Sequence, residues 1–284
     1  MGNQIICGGA TQTLRTLPDE SVSCCVTSPP YYGLRDYGVK GQIGLEQTLD
    51  RYITRLTEVF REVGRVLARD GTLWIVIADS YAEKQLLGVP WRLAFALRDD
   101  GWYLRSAIIW HKPNALPESC RDRPTRSYEH IFLLSKSPQY YYDRQAVAKP
   151  VAAGTHARMK RAVSNDHKYA AAVPGQRAQT LSKPRPSRAG REVKLADTRN
   201  LRDLWTCSAK SYRGAHFAAY PVELITPCVL AGCPPGGVVL DPFFGSGTTG
   251  EAALKLGRRY IGIDLNPGYC RLAEERLKGV ISGI

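Results

Sequence analysis

Short apolar runs alternate along this chain with segments in which apolar residues recur at helical spacing. The predicted strands are Gln4–Cys7, Ser23–Thr27, Thr72–Ala78, Leu104–Trp110, His130–Leu134, Val238–Leu240 and Tyr260–Ile263, with a further edge pairing at Tyr140–Tyr142. The predicted helices run from Leu49 to a stop at Asp70-Gly71, over Pro90–Asp99, Pro221–Leu230 and Thr249–Leu256, and onward from Pro267. This alternation predicts an α/β fold with a mainly parallel sheet, in which ligands bind at the carboxyl ends of the strands.

Residues 145–215 break this pattern, because they are rich in Gly, Pro, Ser, Lys and Arg and lack apolar periodicity. Within them, residues 151–215 hold 14 Lys or Arg against 4 Asp or Glu, so this stretch carries +10 of the net charge of +13. A long basic segment between two patterned regions favours a polyanionic partner, and nucleic acid is the expected one. The residues expected to contact it are Lys183, Arg185, Arg188, Arg191 and Lys194.

Composition narrows the class of protein. The chain has 284 residues, 44% of them hydrophobic and 23% charged, as in globular proteins, and no apolar run is long enough to span a membrane. No signal-peptide pattern precedes the first predicted strand, so a cytoplasmic location is expected. The eight cysteines form no Cys-x-x-Cys pair, and no metal site is expected.

The first candidate site is the glycine-rich turn that follows the predicted strand Val238–Leu240. Gly245, Gly247 and Gly250 allow the backbone to approach a ligand, and the helix that follows offers free N–H groups. Asp264 ends the next predicted strand, where a carboxylate can accept both hydroxyls of a ribose. Together these features indicate an adenosine-type ligand. The same glycine spacing also occurs in dinucleotide-binding oxidoreductases, which stay open as an alternative.

The second candidate site is the turn Ser28-Pro29-Pro30-Tyr31, which follows the predicted strand Ser23–Thr27. Its two prolines remove two N–H donors and fix the backbone. The turn therefore presents acceptors, the Ser28 hydroxyl and the Pro29 carbonyl, beside the flat face of Tyr31. Such a set suits an exocyclic amino group on a planar base that stacks on the tyrosine.

Taken in this order, the motifs Thr27–Tyr31, Ile109–Asn114, Tyr128–Leu134, His216–Pro221 and Asp241–Thr249 resemble the DNA methyltransferases that methylate amino groups with S-adenosylmethionine. Because the Ser28 turn precedes the glycine turn, the chain is similar to the permuted group called class beta. This resemblance implies a Rossmann-like, seven-stranded sheet, mostly parallel with one reversed strand, with helices on both faces. It divides the chain into a catalytic half (1–144), a basic target-recognition region (145–213) and a cofactor-binding half (214–284).

The resemblance also implies roles for residues. Ser28, Pro29, Pro30 and Tyr31 form the catalytic turn and hold the target base. The residues implied for S-adenosylmethionine are Phe217, Asp241, Phe243, Phe244, Gly245, Ser246, Gly247, Thr248, Thr249 and Asp264. In one place the chain departs from the family, whose first strand often ends in Gly-Asp with the acid on the cofactor adenine. This chain has Gly8-Gly9 there.

The expected reaction is methylation of a flipped base in double-stranded DNA, with cytosine N4 favoured over adenine N6 because serine begins the catalytic turn. A cysteine nucleophile, as in C5-cytosine methylation, is not expected, because the only Pro-Cys pair, Pro227-Cys228, lies in a predicted helix. A homodimer and a cognate restriction endonuclease are possible partners, and a non-catalytic nucleic-acid binder is a further alternative.

Overall fold

The computed structural model describes residues 2–152, 154, 197–209 and 220–282. Its helices are α1 (Ala10–Leu14), α2 (Leu49–Val66), α3 (Val89–Asp99), α4 (Val222–Gly232), α5 (Thr248–Lys255) and α6 (Pro267–Ile281). Its strands are β1 (Gln4–Cys7), β2 (Val22–Thr27), β3 (Leu67–Ile77), β4 (Tyr81–Ala82), β5 (Gln85–Leu86), β6 (Tyr103–His111), β7 (Tyr128–Ser135), β8 (Lys149–Pro150), β9 (Thr198–Arg199), β10 (Leu204–Thr206), β11 (Val238–Asp241) and β12 (Arg259–Asp264).

Eight of these strands form one sheet in the order β1-β12-β11-β2-β3-β7-β6-β10. Strand β7 is antiparallel to both of its neighbours, and every other neighbouring pair is parallel. The prediction of a mostly parallel sheet with one reversed strand is therefore confirmed. The described part of the sheet has one strand more than the seven predicted, because β10 pairs with the end of β6. That strand is three residues long, too short to show a period.

Two predicted elements differ from the structure. Helix α2 ends at Val66, and Asp70-Gly71 lies inside strand β3 instead of ending the helix. A Cβ on Gly71 would lie 2.9 Å from the Ser23 carbonyl oxygen, so this glycine permits close approach of neighbouring strands. Tyr140–Tyr142 forms no strand, because its described backbone pairing with the sheet is limited to one bond, from the Tyr141 N–H to the Asp70 carbonyl.

Helices cover both faces of the sheet. Helices α1 and α3 both pack against α2, and helices α4, α5 and α6 pack against strands of the same sheet. Successive residues of β3 point to opposite faces of the sheet. Leu73 and Ile75 lie on the face covered by α2, in the buried cluster that contains Phe60. Trp74 faces Gly232 of α4, where an added Cβ would lie 2.5 Å from the indole nitrogen. The core is therefore two apolar layers with the sheet between them.

The chain divides into two compact units, Met1–Val147 with Arg202–Ile284, and Ala148–Leu201. The first contains the eight-stranded sheet. In the second, the described residues form the antiparallel pair β8–β9, extended by a bond from the Val151 N–H to the Asp197 carbonyl. The division into a recognition region at 145–213 stays a prediction. Among the described residues, no helix combines the length and apolar character that a membrane crossing requires.

Gly262 tests how tightly the glycine turn after β11 packs on the sheet. A Cβ on Gly262 in β12 would lie 2.3 Å from the Phe244 ring. We therefore expect Gly262→Ala to lower the free energy of unfolding by about 1–3 kcal/mol through overpacking. Urea unfolding of the variant and of wild type measures this change in the free energy of unfolding. The control is Gly279→Ala in α6, where an added Cβ meets nothing within 4 Å, so a gain of about 0.5–1 kcal/mol is expected. Wild-type stability for Gly262→Ala would contradict this packing.

Candidate active site

Both predicted turns emerge at the same edge of the sheet. Strands β2 and β11 are parallel neighbours, with Cys24 beside Val239 and Cys25 beside Leu240, so the Ser28 turn and the glycine turn leave adjacent strand ends. Strand β12 follows on the other side of β11 and ends at Asp264. Parallel pairing thus brings the three predicted strand ends together.

Asp241 at the end of β11 ties these segments together. Its Oδ1 accepts from the Thr27 hydroxyl at 2.6 Å and from the Phe243 N–H at 3.0 Å. Its Oδ2 accepts from the Thr249 hydroxyl at 2.6 Å and from the Tyr220 hydroxyl at 3.2 Å. Burial raises the pKa of Asp241 from 3.8 to about 6, although the four donors favour the carboxylate. This residue therefore fixes the Ser28 turn against the glycine turn and the start of α5.

Neighbouring side chains form hydrogen bonds with the backbone and side chains of the Ser28 turn. The Tyr52 hydroxyl donates to the Pro30 carbonyl at 2.8 Å. Within the described chain, the Pro29 carbonyl receives no such bond. The Tyr31 hydroxyl donates to Oε2 of Glu129 at 2.7 Å and lies 3.4 Å from the Ser28 hydroxyl. Burial, and secondly the Glu129 charge, raise the pKa of Tyr31, so this phenol stays neutral.

The glycine turn is held by backbone bonds to Asp264. The Gly245 N–H donates to one carboxylate oxygen at 2.7 Å, and the Asn266 N–H donates to the other at 2.8 Å. Burial raises the pKa of Asp264. Gly245 and Gly247 adopt φ of 51° and 80°, which favours glycine, and Gly247 opens helix α5. The Phe244 side chain is buried against β12.

Both turns line one cleft of about 440 Å³. The predicted residues that line it are Ser28, Pro29, Pro30, Tyr31, Phe243, Phe244, Gly245, Ser246, Thr248 and Asp264. Asp241, Gly247 and Thr249 lie behind this surface, where Asp241 and Thr249 are buried and hydrogen-bonded to each other. Phe217 and the five basic residues Lys183, Arg185, Arg188, Arg191 and Lys194 lie outside the described residues.

Several residues at this cleft carried no recognisable signal in the sequence. Tyr37 and Tyr269 meet edge to face across it, with ring centroids 6.2 Å apart. Gln12 of α1 lines it beside Gly9, and a Cβ on Gly9 would lie 2.3 Å from the Gln12 amide oxygen. The glutamine amide thus fills the space next to Gly9, the position at which the family that the chain resembles often carries an acid. Helix α1 itself is five residues long, which is too short to show a helical period.

The cleft has the chemistry that an adenosine-type ligand requires. It combines a carboxylate at Asp264, the aromatic side chains of Tyr37, Phe243 and Tyr269, and the amino end of α5. Cys228, the cysteine of the Pro-Cys pair, is fully buried in α4, and burial raises the pKa of its thiol. Its surroundings are those of a packing residue. Among the described residues, no group of three His, Cys, Asp or Glu could hold a metal ion.

Sequence comparison relates the chain to DNA methylases. The sequence profile of the N6/N4 DNA methylase family matches residues 22–275. The Type II methyltransferase M.Cfr9I of Citrobacter freundii is 43% identical over 301 residues, which cover 96% of this chain and 86% of that protein. The Type II methyltransferase M.SmaI of Serratia marcescens is 43% identical over 303 residues, covering 96% and 90%.

Solved structures agree with the fold. The PvuII DNA methyltransferase, described as cytosine-N4-specific, superposes with a TM-score of 0.69 at 18% identity and covers 99% of this chain and 92% of its own. A putative DNA modification methylase of Thermus thermophilus, solved with S-adenosyl-L-methionine, has a TM-score of 0.67 at 24% identity and covers 99% and 96%. At these identities the likeness supports the arrangement of the sheet and helices alone.

The raised pKa of Asp241 predicts a pH dependence of stability. The folded protein retains the Asp241 proton from pH 3.8 up to about 6, whereas the unfolded chain releases it earlier. The folded state therefore binds more protons in this window, and the Asp241 contribution to stability falls as pH rises through it. Urea unfolding of wild type and Asp241→Asn at several pH values measures it. The stability of wild type minus that of the variant should decrease from pH 4 to pH 6. A constant or rising difference would contradict the assignment.

Proposed function

The chain belongs to the family of DNA methylases that act on N6 of adenine or N4 of cytosine with S-adenosylmethionine, and we propose that it methylates cytosine N4 at a specific DNA site. The observation that carries this proposal is the shared cleft. Ser28 and Gly245 come from distant parts of the chain, yet the Thr27–Asp241 bond holds their turns beside each other.

S-adenosylmethionine fits the glycine-turn side of the cleft. Each Asp264 oxygen accepts one backbone N–H and has further lone pairs, so this carboxylate would accept from the ribose hydroxyls. Phe244, Gly245 and Thr248 would face the methionine end, near the amino end of α5. Tyr37 and Tyr269 offer flat apolar surfaces to the adenine, with the Gln12 amide close by. When bound, this cofactor supplies an electrophilic methyl group on a sulfonium.

The Ser28 turn supports binding of the target amino group. The Ser28 hydroxyl and the Pro29 carbonyl can each accept one amino proton, and Tyr31 can stack on the ring. Two such bonds draw the amino nitrogen toward tetrahedral geometry, which releases its lone pair from the ring. Catalysis then consists of positioning and electrostatic stabilisation. Because the amino group is inaccessible in a duplex, the base must be flipped out.

The choice of cytosine N4 over adenine N6 rests on the residue type at position 28. In the family that the chain resembles, serine at the first position of this turn is associated with cytosine and an acid or amide with adenine. Both amino groups present the same two protons, so the alternative is methylation of adenine N6. Digestion of methylated DNA to nucleosides, followed by mass spectrometry, separates the two. N6-methyl-2′-deoxyadenosine as the product would overturn the cytosine assignment.

The basic stretch 151–215 supports a role in holding DNA and reading its sequence. The family relationship to Type II methyltransferases supports a cognate restriction endonuclease as a partner of the system. A homodimer is a further part of the proposal. Size-exclusion chromatography with light scattering tests it.

Substitutions at Ser28 and at Cys228 should have different effects on the rate of methyl transfer. Ser28→Ala removes one of the two acceptors for the amino group, so we expect kcat to fall about 10²–10³-fold. Cys228→Ala, which changes a buried packing residue in α4, should retain wild-type kcat in folded enzyme. Transfer of a labelled methyl group from the cofactor to DNA measures both. Loss of activity in Cys228→Ala with retention in Ser28→Ala would reject the mechanism.

Asp264 provides a test of the cofactor site that does not depend on turnover. Replacing it with alanine removes the carboxylate for the ribose and frees the Gly245 N–H, so we expect the Kd for S-adenosylmethionine to rise at least about tenfold. Isothermal titration calorimetry measures the Kd. Asp70→Ala, at an exposed position on β3, is the matched control. An unchanged Kd in Asp264→Ala would remove Asp264 from the cofactor site.

A further inference from the structure

A row of polar side chains leads away from Ser28 to a mostly buried ion pair. The Ser28 hydroxyl lies 3.4 Å from the Tyr31 hydroxyl, which lies 2.7 Å from Oε2 of Glu129. The other carboxylate oxygen, Oε1, is paired with the Lys112 ammonium. The side chains of Glu129 and Lys112 are only 12% and 20% exposed.

The sheet fixes the position of this ion pair. Glu129 in β7 lies directly opposite Trp110 in the antiparallel β6. The Lys112 ammonium lies over the Trp110 ring, 4.2 Å from its centroid, which brings it to Glu129 across the strand pair. The indole is itself anchored by a bond from its N–H to the Cys207 carbonyl at 2.7 Å. Glu129 is therefore held by rigid strands.

The donor and acceptor capacities of these four side chains allow only one direction of donation along the hydrogen bonds from Ser28 to Glu129. An ammonium only donates and a carboxylate only accepts, so the Tyr31 hydroxyl must donate to Glu129. A hydroxyl has one proton, and therefore the Tyr31 oxygen can only accept from Ser28. The single proton of Ser28 then points at the Tyr31 oxygen. The Ser28 oxygen is left with its lone pairs free for an incoming group.

We propose that Glu129 is a positioning residue that acts through Tyr31 to keep Ser28 a hydrogen-bond acceptor for the amino group of the target base. This inference rests on the proposed amino-group target and extends it. Without a fixed direction, a serine hydroxyl can turn its proton toward the base and oppose an amino donor. The network thus gives a neutral serine the acceptor character that a carboxylate has by nature.

Glu129→Gln provides the sharpest test, because the amide has one oxygen and one NH2. The Lys112 ammonium donates to the amide oxygen, and the NH2 group then donates to the Tyr31 hydroxyl. The Tyr31 proton is then released from residue 129 and can be donated to Ser28, in which case the serine proton turns away from Tyr31 and can oppose the amino donor. We expect kcat to fall about 100-fold, while the KM for DNA and the Kd for S-adenosylmethionine stay within about twofold of wild type.

A second substitution should relieve this defect. Tyr31→Phe keeps the ring but breaks the row, so Ser28 is no longer directed, and kcat should fall about tenfold. Because the amide acts only through the Tyr31 hydroxyl, the double variant Glu129→Gln/Tyr31→Phe should be more active than Glu129→Gln alone and match Tyr31→Phe. A purely structural role for Glu129 predicts that the two losses multiply. A double variant that stays at or below the Glu129→Gln rate overturns the proposal.

Steady-state methyl transfer measures kcat and the KM for DNA, calorimetry measures the Kd for S-adenosylmethionine, and Glu118→Gln is the control. Glu118 is also in an ion pair, in its case with Arg123, but it does not line the cleft, so its variant should keep wild-type kcat. Glu129→Ala is a second measurement, independent of the folding of the glutamine variant. Because alanine cannot donate to Tyr31, its kcat should equal that of Tyr31→Phe, and a loss as large as about 100-fold overturns the proposal.

The nucleoside analysis of the wild-type product is read separately from these rates. A wild-type enzyme that methylates adenine N6 changes the assigned base but leaves the test of Glu129 intact, since both targets are amino groups. A wild-type enzyme that methylates no amino group contradicts the proposed function itself. The two failures are therefore distinguishable.

Discussion

The buried carboxylate of Asp241 is the interaction on which the arrangement of the site depends. It accepts hydrogen bonds from the end of β2, the glycine turn, helix α5 and Tyr220. Burying a charge is unfavourable, and the raised pKa of Asp241 reflects this cost. Four donors compensate for it in part, and in return two loops that leave separate strands are held in one geometry. Hydrogen bonds between the segments that follow neighbouring strands therefore fix the shape of the cleft.

Parallel pairing converts distance in sequence into closeness in space. Thr27 and Asp241 lie 214 positions apart, yet their side chains are in direct contact because β2 and β11 are neighbours. A fold of this type places the turns after successive strands along one edge, where a ligand can touch several of them. This is why the glycine turn and the Ser28 turn can meet although the basic segment separates them in the chain. Group transfer requires this proximity, because both reacting groups must be held in line.

Much of the fold was accessible from the sequence because its signals are local. Apolar runs such as Thr72–Ala78 and the helical period after Leu49 depend on neighbouring residues alone. The predictions failed where tertiary contacts outweighed local preference. Asp70-Gly71 has the composition of a turn, but Gly71 lies within β3 because the strands approach closely there. Strand β10 exists only because the edge of β6 offers it unpaired backbone groups.

The same division holds for the site. Residue types by themselves determined the chemistry, since two prolines leave only acceptors beside Ser28, and glycines with a following helix prepare a site for an adenosine-type ligand. The tertiary structure alone decided which side chains direct that chemistry. Nothing adjacent in the sequence connects the Tyr31 hydroxyl with the Glu129 carboxylate. Hydrogen-bond partners across a sheet are set by strand order and register, and these emerge only when the whole core packs.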